Sequence, residues 1–323
     1  MLNIAMLSDW HVHSDGYAHE FMSMDDAKVT CVWDEDPERG SKWAKELGVD
    51  FEPDLDVLLA RKDVDAVSIG TPTAMHPEVM IKAARAGKHI FTEKVMALNV
   101  ADCDQIAEEI NKAGVKFVIS FPQRSWGRYI YIKNLIDQGK LGKVTVLRSR
   151  DSHDGAVRNW LPDYWYDFKQ TGGGAMMDLG AHPMYLSRWM MGKPKRINSM
   201  FTYVTGREVD DNAVCTIEYE NGATVIAETS LVSGNNPQMF EVYGTKGLVL
   251  CRDKEILVKL EGDKEFHTPE IPADDIKPTR KFVEAVLYDR PIDIGLKEAR
   301  DLTELMEKAY QADREKREIG FDD

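Results

Sequence analysis

The chain has 323 residues, with 41 Lys and Arg against 55 Asp and Glu, which gives a formal net charge of -14. This length fits two domains of ordinary size or one large barrel. The negative charge repels nucleic-acid phosphates and anionic lipid surfaces, so we expect no nucleic-acid or membrane partner. No apolar run approaches the roughly 20 residues of a membrane span and no leader sequence is recognisable, so the expected location is the cytoplasm.

The cysteines are scattered without paired spacing, which argues against a disulfide framework or a zinc knuckle. We expect all of them to be small buried apolar side chains: Cys31, Cys103, Cys215 and Cys251.

The first 122 residues alternate short apolar runs with helical patterns, as stacked βαβ units do. Strands are predicted at 4–7, 29–33, 64–69, 89–91 and 116–121, and helices at 37–47, 77–86 and 99–111. The predicted fold class is therefore α/β, with a Rossmann-like, doubly wound parallel sheet over residues 1–122.

From residue 123 onward, strands follow one another directly. After a helix at 125–138 they are predicted at 144–150, 196–204, 213–218, 223–231, 240–243 and 248–251, with final helices at 279–287 and 297–316. This pattern predicts an α+β domain at 123–323, with a large, open, mostly antiparallel sheet and last helices that can return to the first domain. Between strands, residues 151–174 are rich in Trp and Tyr and form either a lid or a hydrophobic plug.

The loop after the first strand lacks the expected phosphate-binding glycines. In a dinucleotide-binding fold a Gly-x-Gly-x-x-Gly turn brings the backbone close to the diphosphate. Here Ser8, Trp10 and His13 stand at the three glycine positions. We therefore expect side-chain donors, such as the Ser8 hydroxyl and His11 or His13, to bind the diphosphate in place of backbone N–H groups.

The same loop allows a different interpretation. Its Asp9-x-His11-x-His13 string resembles the start of metal-dependent hydrolases of the polymerase and histidinol phosphatase type. Such a centre needs further ligands at later strand ends, and the other six histidines show no repeated pattern there. We expect no metal, and a metal-dependent phosphoesterase remains an alternative.

Asp34 ends the second strand about 20 residues beyond this loop, where a carboxylate can accept hydrogen bonds from ribose hydroxyls. It would repel a 2′-phosphate, so NAD is preferred over NADP. The alternative is a solvated turn residue.

Several short motifs follow in order: Thr71-Pro72-Thr73, His76, Glu93-Lys94, Gly172-Gly173-Gly174 and Asp178-x-Gly180-x-His182. Together they resemble the Gfo/Idh/MocA family of oxidoreductases over nearly the whole chain. Val95 departs from the usual proline, and Tyr185 from a frequent aspartate. The resemblance implies that ten residues contact NAD: Ser8, Trp10, His11, Val12, Asp34, Thr71, Pro72, His76, Glu93 and Lys94.

The resemblance also implies hydride transfer between NAD(H) and a secondary alcohol or ketone of a sugar, sugar derivative or cyclitol. Lys94, Asp178 and His182 are the implied catalytic residues, and His182 is the natural proton carrier because imidazole titrates near about 6.5. A helix predicted at 174–191 places Asp178 and His182 on one face. Redox-assisted elimination or glycoside cleavage with tightly bound NAD is an alternative, and so is a sensor that binds without turnover.

Other side chains are candidates for holding the substrate beside Asp178 and His182: Arg124, Trp126, Trp160, Tyr164 and Trp165. The expected partners are a small-molecule sugar or cyclitol and further copies of this chain, in a dimer or tetramer assembled through the second sheet.

Overall fold

The computed structural model describes residues 1–234 and 238–321. The chain divides into two compact units, the first made of residues 1–120 and 276–303 and the second of residues 121–275 and 304–323. A six-stranded sheet and an eight-stranded sheet account for the predicted fold class, which is confirmed. None of the helices in the described ranges has the length and apolar character needed to cross a bilayer.

The sheet of the first unit is parallel throughout, with the strand order β3-β2-β1-β4-β5-β6. Its strands are β1 (Leu2–Leu7), β2 (Ala27–Trp33), β3 (Asp50–Phe51), β4 (Ala66–Ile69), β5 (His89–Thr92) and β6 (Phe117–Ile119). The strand order reverses between β1 and β4, and in open α/β sheets ligands bind beyond the carboxyl ends of the strands at that point.

The helices in residues 1–120 of this unit are α1 (Ser14–Met22), α2 (Pro37–Leu47), α3 (Leu55–Ala60), α4 (His76–Arg85) and α5 (Val100–Ala113). The predicted bounds of α2 are confirmed, because the Asp36 side chain accepts from two backbone N–H groups at its start and Gly48 ends it with φ +70°. Helix α1 was not predicted, since it has no capping side chain and little amphipathic pattern.

The second unit has the strand order β13-β12-β11-β7-β10-β9-β8-β14, in which only β7 and β10 pair in parallel. Its strands are β7 (Val144–Ser152), β8 (Pro194–Thr202), β9 (Asn212–Tyr219), β10 (Thr224–Ser230), β11 (Met239–Gly244), β12 (Gly247–Arg252), β13 (Glu255–Leu260) and β14 (Ile319–Gly320). Buried and exposed side chains alternate along β9, so one face of the sheet holds the core.

The helices of the second unit are α6 (Gly127–Asp137), α7 (Gly155–Arg158), α8 (Phe168–Thr171), α9 (Ala175–Asp178) and α10 (Ala181–Met191). Helices α9 and α10 pack on the central strands β7, β9 and β10. The segment at 151–174, which was predicted as a loop, contains the short helices α7 and α8 and a 3-10 turn at Asp163–Tyr166.

All four cysteines are buried and unpaired, as predicted.

The last helices are α11 (Pro278–Tyr288) and α12 (Leu296–Glu315). Helix α11 belongs to the first unit, where Phe282 packs edge-on against Phe21 and lies beside Phe91. Arg280 pairs with Asp26 at 2.6 Å.

Replacing Asp26 with asparagine is expected to destabilise the first unit by about 0.5–1 kcal/mol at neutral pH, because the pair is partly exposed and screened. The hydrogen bond from Arg280 lowers the pKa of Asp26. The stabilisation is therefore present above the ordinary carboxyl pKa and is lost as pH falls through the lowered value. Urea unfolding at pH 7 and at about pH 3 measures this, and an equal loss at both pH values would contradict it.

Candidate active site

The loop of residues 8–13 connects β1 to α1, and five of its backbone N–H groups are bonded within the unit. Ser8 itself has a left-handed backbone, with φ +77°. Each of these N–H groups donates one hydrogen bond: Ser8 N to Trp33 O, Asp9 N to Asp34 Oδ2, Trp10 N to Ser8 Oγ, His11 N to Gly70 O and His13 N to His11 Nδ1. Trp10 is buried and Val12 is about half exposed. The loop therefore does not offer the row of amide donors that a glycine fingerprint supplies.

Two buried hydroxyls beside this loop have no hydrogen-bond partner in the described part of the chain. They are Ser14 Oγ, at the start of α1, and Thr71 Oγ1, just beyond β4. A Cβ on Gly70 would lie 2.1 Å from Ser14 Oγ and 2.8 Å from Ser8 O, so this glycine is needed for the close packing of the two loops. Because unbonded buried hydroxyls are costly, they fit a ligand that supplies acceptors. The residues present thus fit a dinucleotide diphosphate, with side-chain hydroxyls as donors.

Asp34 is buried and engaged on both oxygens. Arg39 donates Nε to Oδ2 at 3.0 Å and Nη2 to Oδ1 at 2.5 Å, and the backbone N–H groups of Asp9 and Asp36 donate as well. Asp34 is therefore not a solvated turn residue. A ribose hydroxyl can bond it only by replacing one of these donors.

The surroundings of Arg39 carry an excess of negative charge. Its guanidinium also bonds Glu35 at 2.6 Å, so two carboxylates already neutralise it. Burial, together with the charges of Asp15 and Asp34, raises the pKa of Asp9 to about 7. Another anionic group is disfavoured here.

Glu93, directly after β5, is the centre of a buried polar cluster. Its Oε1 lies 2.9 Å from His13 Nδ1 and accepts from the Tyr17 hydroxyl, and its Oε2 lies 3.9 Å from His11 Nε2. Tyr17 is also 2.8 Å from Ser120 Oγ. Burial opposes ionisation of Glu93, but its electrostatic interactions with His11 and His13, together with the hydrogen bond with His13, outweigh burial and hold the pKa of Glu93 well below the ordinary value.

Lys94 follows in the chain and is buried, and the Lys94–Val95 peptide bond is cis. His76 is buried too, and its ring nitrogens contact the carbonyl oxygens of Thr71, Val95 and Met96. Burial lowers the pKa of His76. The His76 imidazole therefore links the segment that follows β4, which includes the buried Pro72, to the segment that follows β5.

In the second unit, the helix predicted at 174–191 is broken. Helix α9 ends at Asp178 and α10 begins at Ala181, so Asp178 and His182 lie on two consecutive helices, which corrects the single-helix prediction. Gly180 stands at the junction, where a Cβ would lie 2.5 Å from Met176 O, so only glycine fits there. Asp178 Oδ2 accepts from Trp165 Nε1 at 3.3 Å.

His182 is buried and its Nδ1 lies 2.9 Å from the Tyr185 hydroxyl. The same hydroxyl accepts from the backbone N–H of Gln123 at 3.2 Å, and the Tyr185 ring stacks on Phe121 at 4.3 Å. A phenolic hydroxyl can donate to an imidazole nitrogen or accept from it, so Tyr185 supports either tautomer of His182.

The remaining predicted substrate residues differ in exposure. The Arg124 guanidinium lies 4.9 Å from the centre of the Trp189 ring, and Trp126 stacks on Tyr129. Trp160 is 53% exposed and lies beside His153, whereas Trp165 is buried and Tyr164 is intermediate. The 151–174 segment is thus partly packed into the unit and partly open.

Two family models match the chain. One, described as an oxidoreductase family with an NAD-binding Rossmann fold, covers residues 12–121, and the other, a GFO/IDH/MocA C-terminal domain, covers residues 129–250. A curated relative, the scyllo-inositol 2-dehydrogenase (NAD(+)) of Bacillus subtilis, is 30% identical over 72% of this chain and 70% of its own length. The chain belongs to the GFO/IDH/MocA family of oxidoreductases. The predicted family is confirmed.

Other relatives of this GFO/IDH/MocA member have different activities. The myo-inositol 2-dehydrogenase of Thermotoga maritima is 28% identical over 77% of this chain and 76% of its own length. A 2,7-anhydro-N-acetylneuraminate hydratase of Mediterraneibacter gnavus is 28% identical over 82% of this chain and 73% of its own length. A levoglucosan dehydrogenase structure in complex with NADH and levoglucosan has a TM-score of 0.85 at 20% identity, covering 100% of both chains, which shows a shared fold.

Sequence reasoning missed several residues of this site. Ser14 and Tyr17 lie on α1, and His13 and Tyr17 are four residues apart, a spacing that would have placed them together had the helix been recognised. Arg39 lies five residues beyond Asp34, but no sequence signal distinguishes it from other basic residues of α2.

Proposed function

We propose that this chain transfers hydride between NAD(H) and a secondary alcohol or ketone of a sugar, sugar derivative or cyclitol. The observation that carries the proposal is the similarity to inositol dehydrogenases, which extends over more than two thirds of the chain. The buried, unbonded hydroxyls at the reversal of the parallel sheet support it, because a diphosphate would satisfy them.

NAD, rather than NADP, is the proposed cofactor. A 2′-phosphate needs a cation with free donors, and Arg39 is already held by Asp34 and Glu35. The neighbouring Asp9 adds negative charge as pH rises above about 7. A dinucleotide without the extra phosphate avoids this repulsion.

When bound, NAD supplies the carbon that accepts or returns the hydride. The proposed contacts of this chain are the Ser14 and Thr71 hydroxyls toward the diphosphate and the Asp34 region toward the adenosine ribose. The other proposed positions line the same loops: Ser8, Trp10, His11, Val12, Pro72, His76, Glu93 and Lys94.

His182 is the proposed proton carrier, acting through Nε2, the ring nitrogen opposite the one that contacts Tyr185. When Nε2 takes the alcohol proton, Nδ1 keeps its own proton and donates it to the Tyr185 oxygen. In the reverse direction the doubly protonated ring gives its Nε2 proton to the carbonyl oxygen as the hydride arrives, and Nδ1 keeps its proton and its hydrogen bond to the Tyr185 oxygen.

Two further residues complete the proposed chemistry. Asp178 accepts hydrogen bonds from substrate hydroxyls while Trp165 orients it. Lys94 supplies positive charge that stabilises alkoxide character on the reacting oxygen. Arg124, Trp126, Trp160 and Tyr164 are proposed to hold the rest of the sugar ring. The exposed face of Trp160 is suited to stacking on such a ring.

The direct test mixes the purified protein with NAD⁺ and a panel of inositols and aldoses, and follows absorbance of NADH. Turnover with at least one polyol, and a lower KM for NAD⁺ than for NADP⁺, is expected. Absence of any change in NADH or NADPH fluorescence on mixing with the protein would overturn the proposal.

The Ser14→Ala variant is expected to bind NADH about 5- to 20-fold more weakly, since one hydrogen bond to a charged phosphate contributes about 1–2 kcal/mol. Fluorescence titration with NADH measures this. Ser23→Ala, at the exposed end of the same helix, is the matched control. Unchanged affinity in Ser14→Ala would remove this hydroxyl from the cofactor site.

A second candidate function is favoured by the hydratase relatives. In that case tightly held NAD would oxidise and then reduce the same substrate molecule around an elimination step. Bound cofactor after purification, without NADH release during turnover, would support it. Stoichiometric release of NADH would exclude it.

We also propose that copies of this chain associate through the sheet of the second unit. Large apolar side chains are exposed on its strands at Met200, Val214, Tyr243 and Leu257. A dimer or tetramer is expected in sedimentation experiments, and Val214→Glu is expected to weaken it.

A further inference from the structure

The strongest unassigned feature is the His11, His13 and Glu93 cluster of the first unit. One ligand atom from each residue lies within 4.8 Å of the others. We propose that these three side chains form a site for a divalent transition-metal ion of the zinc type. Two imidazoles and one carboxylate are a common ligand set for such ions in proteins.

The three ligand atoms must move closer together to hold a single ion. Nitrogen and oxygen ligands lie about 2.1 Å from zinc, so neighbouring ligand atoms are about 3.0–3.4 Å apart. The pair His13 Nδ1 and Glu93 Oε1 is at 2.9 Å and the pair His11 Nε2 and Glu93 Oε2 is at 3.9 Å. These two pairs use different oxygens of Glu93, and the three ligand atoms lie up to 4.8 Å apart, so separations shorten by as much as about 1.4 Å when one ion joins all three residues.

The cluster has the outer hydrogen bonds that metal ligands require. Glu93 is buried, and its two oxygens are held by the Tyr17 hydroxyl and by the backbone N–H of Lys94 at 2.9 Å. Tyr17 is in turn held by Ser120. Such contacts fix the orientation of a ligating carboxylate and are part of a built metal site.

Both imidazoles must present an unprotonated nitrogen to the ion, so the proton between His13 Nδ1 and Glu93 leaves and the His11 ring changes its tautomer. Its Nδ1 accepts from the His13 backbone N–H at 3.2 Å, which leaves the ring proton on Nε2, the nitrogen that faces Glu93. Metal binding moves this proton and opens the 3.2 Å bond. Three protein ligands also leave a coordination position for an external oxygen, such as a hydroxyl of an alcohol or diol. His13 is about half exposed, so this position is accessible.

The test uses the full-length protein stripped with a chelator and titrated with Zn²⁺ against a competing metal-sensitive dye. One equivalent is expected to bind, and His13→Ala is expected to weaken binding by at least about 100-fold, because each lost ligand removes a coordinate bond. His19→Ala is the control, since His19 lies beside Asp15 on α1 but outside the cluster.

Co²⁺ substitution gives a second readout, because intense visible absorption bands report an ion held with low coordination number in a protein site. These bands should be absent in His13→Ala and in Glu93→Gln, and His13→Ala keeps the test valid if the buried Glu93 substitution unfolds the protein. Equal Zn²⁺ affinity in wild type and His13→Ala, or no site in wild type, would overturn the proposal. NADH binding is measured separately, so failure of the metal site is distinguishable from failure of the proposed oxidoreductase function.

Discussion

Replacing His182 with alanine is expected to lower kcat by about 10²- to 10⁴-fold, the range that loss of a positioned general acid or base produces. The cause is that the alcohol proton then loses its positioned acceptor, the Nε2 of a buried imidazole. Steady-state rates of NADH formation, with the best polyol found in the substrate panel, measure the effect.

The control is cofactor binding, because His182 belongs to the second unit while the proposed diphosphate contacts belong to the first. The affinity for NADH should stay within about 2-fold of the wild-type value. A His182→Ala variant that keeps full kcat, or that loses kcat only by losing NADH affinity, would disprove the assigned role.

Tyr185→Phe separates positioning from proton transfer. It removes the hydroxyl that contacts His182 Nδ1 but keeps the ring that stacks on Phe121. We expect kcat to fall about 10-fold and the pH profile of kcat to change, since the partner of the titrating imidazole is gone. An unchanged pH profile would show that Tyr185 serves packing alone.

The fold was largely predictable from the sequence because its signals are local. The α2 helix, for example, carries its own start at Asp36 and its own end at Gly48. The short strand β3 and the helix α1 were missed because tertiary packing, not local propensity, forms them. Two residues of β3 pair with β2, and buried Phe21 anchors α1 in the core.

The site was predictable only in part, since several roles depend on contacts between residues distant in sequence. Glu93 was predicted as a cofactor residue, but its position beside His11 and Tyr17 arises only when β5 is placed in the sheet. Likewise, no sequence pattern indicates that Arg39 occupies both oxygens of Asp34. The family resemblance identified which residues belong to the predicted site, whereas their hydrogen-bond partners could be seen only in the folded structure.

Packing around the buried carboxylate of Asp210 explains two glycines of the Gly172-Gly173-Gly174 run. A Cβ on Gly173 would lie 1.9 Å from the Tyr310 hydroxyl, and a Cβ on Gly174 would lie 1.9 Å from the backbone oxygen of Asp210. Asp210 is 1% exposed, and its side chain accepts from Gly174 N, Met176 N and the Tyr310 hydroxyl. This carboxylate therefore fixes the turn that leads into α9 and Asp178.

Asp210→Ala is expected to destabilise the second unit by about 3–5 kcal/mol, because three buried donors lose an acceptor that no water can easily replace. Tyr310→Phe should cost less, about 1–3 kcal/mol, since it removes one donor to Asp210 and one acceptor for the turn. Glu220→Gln, at an exposed pair with Lys193, should stay within about 0.5 kcal/mol of wild type. Urea unfolding of the three variants measures the series. If Asp210→Ala were as stable as Glu220→Gln, the carboxylate would not hold the turn, and the glycines would need another explanation.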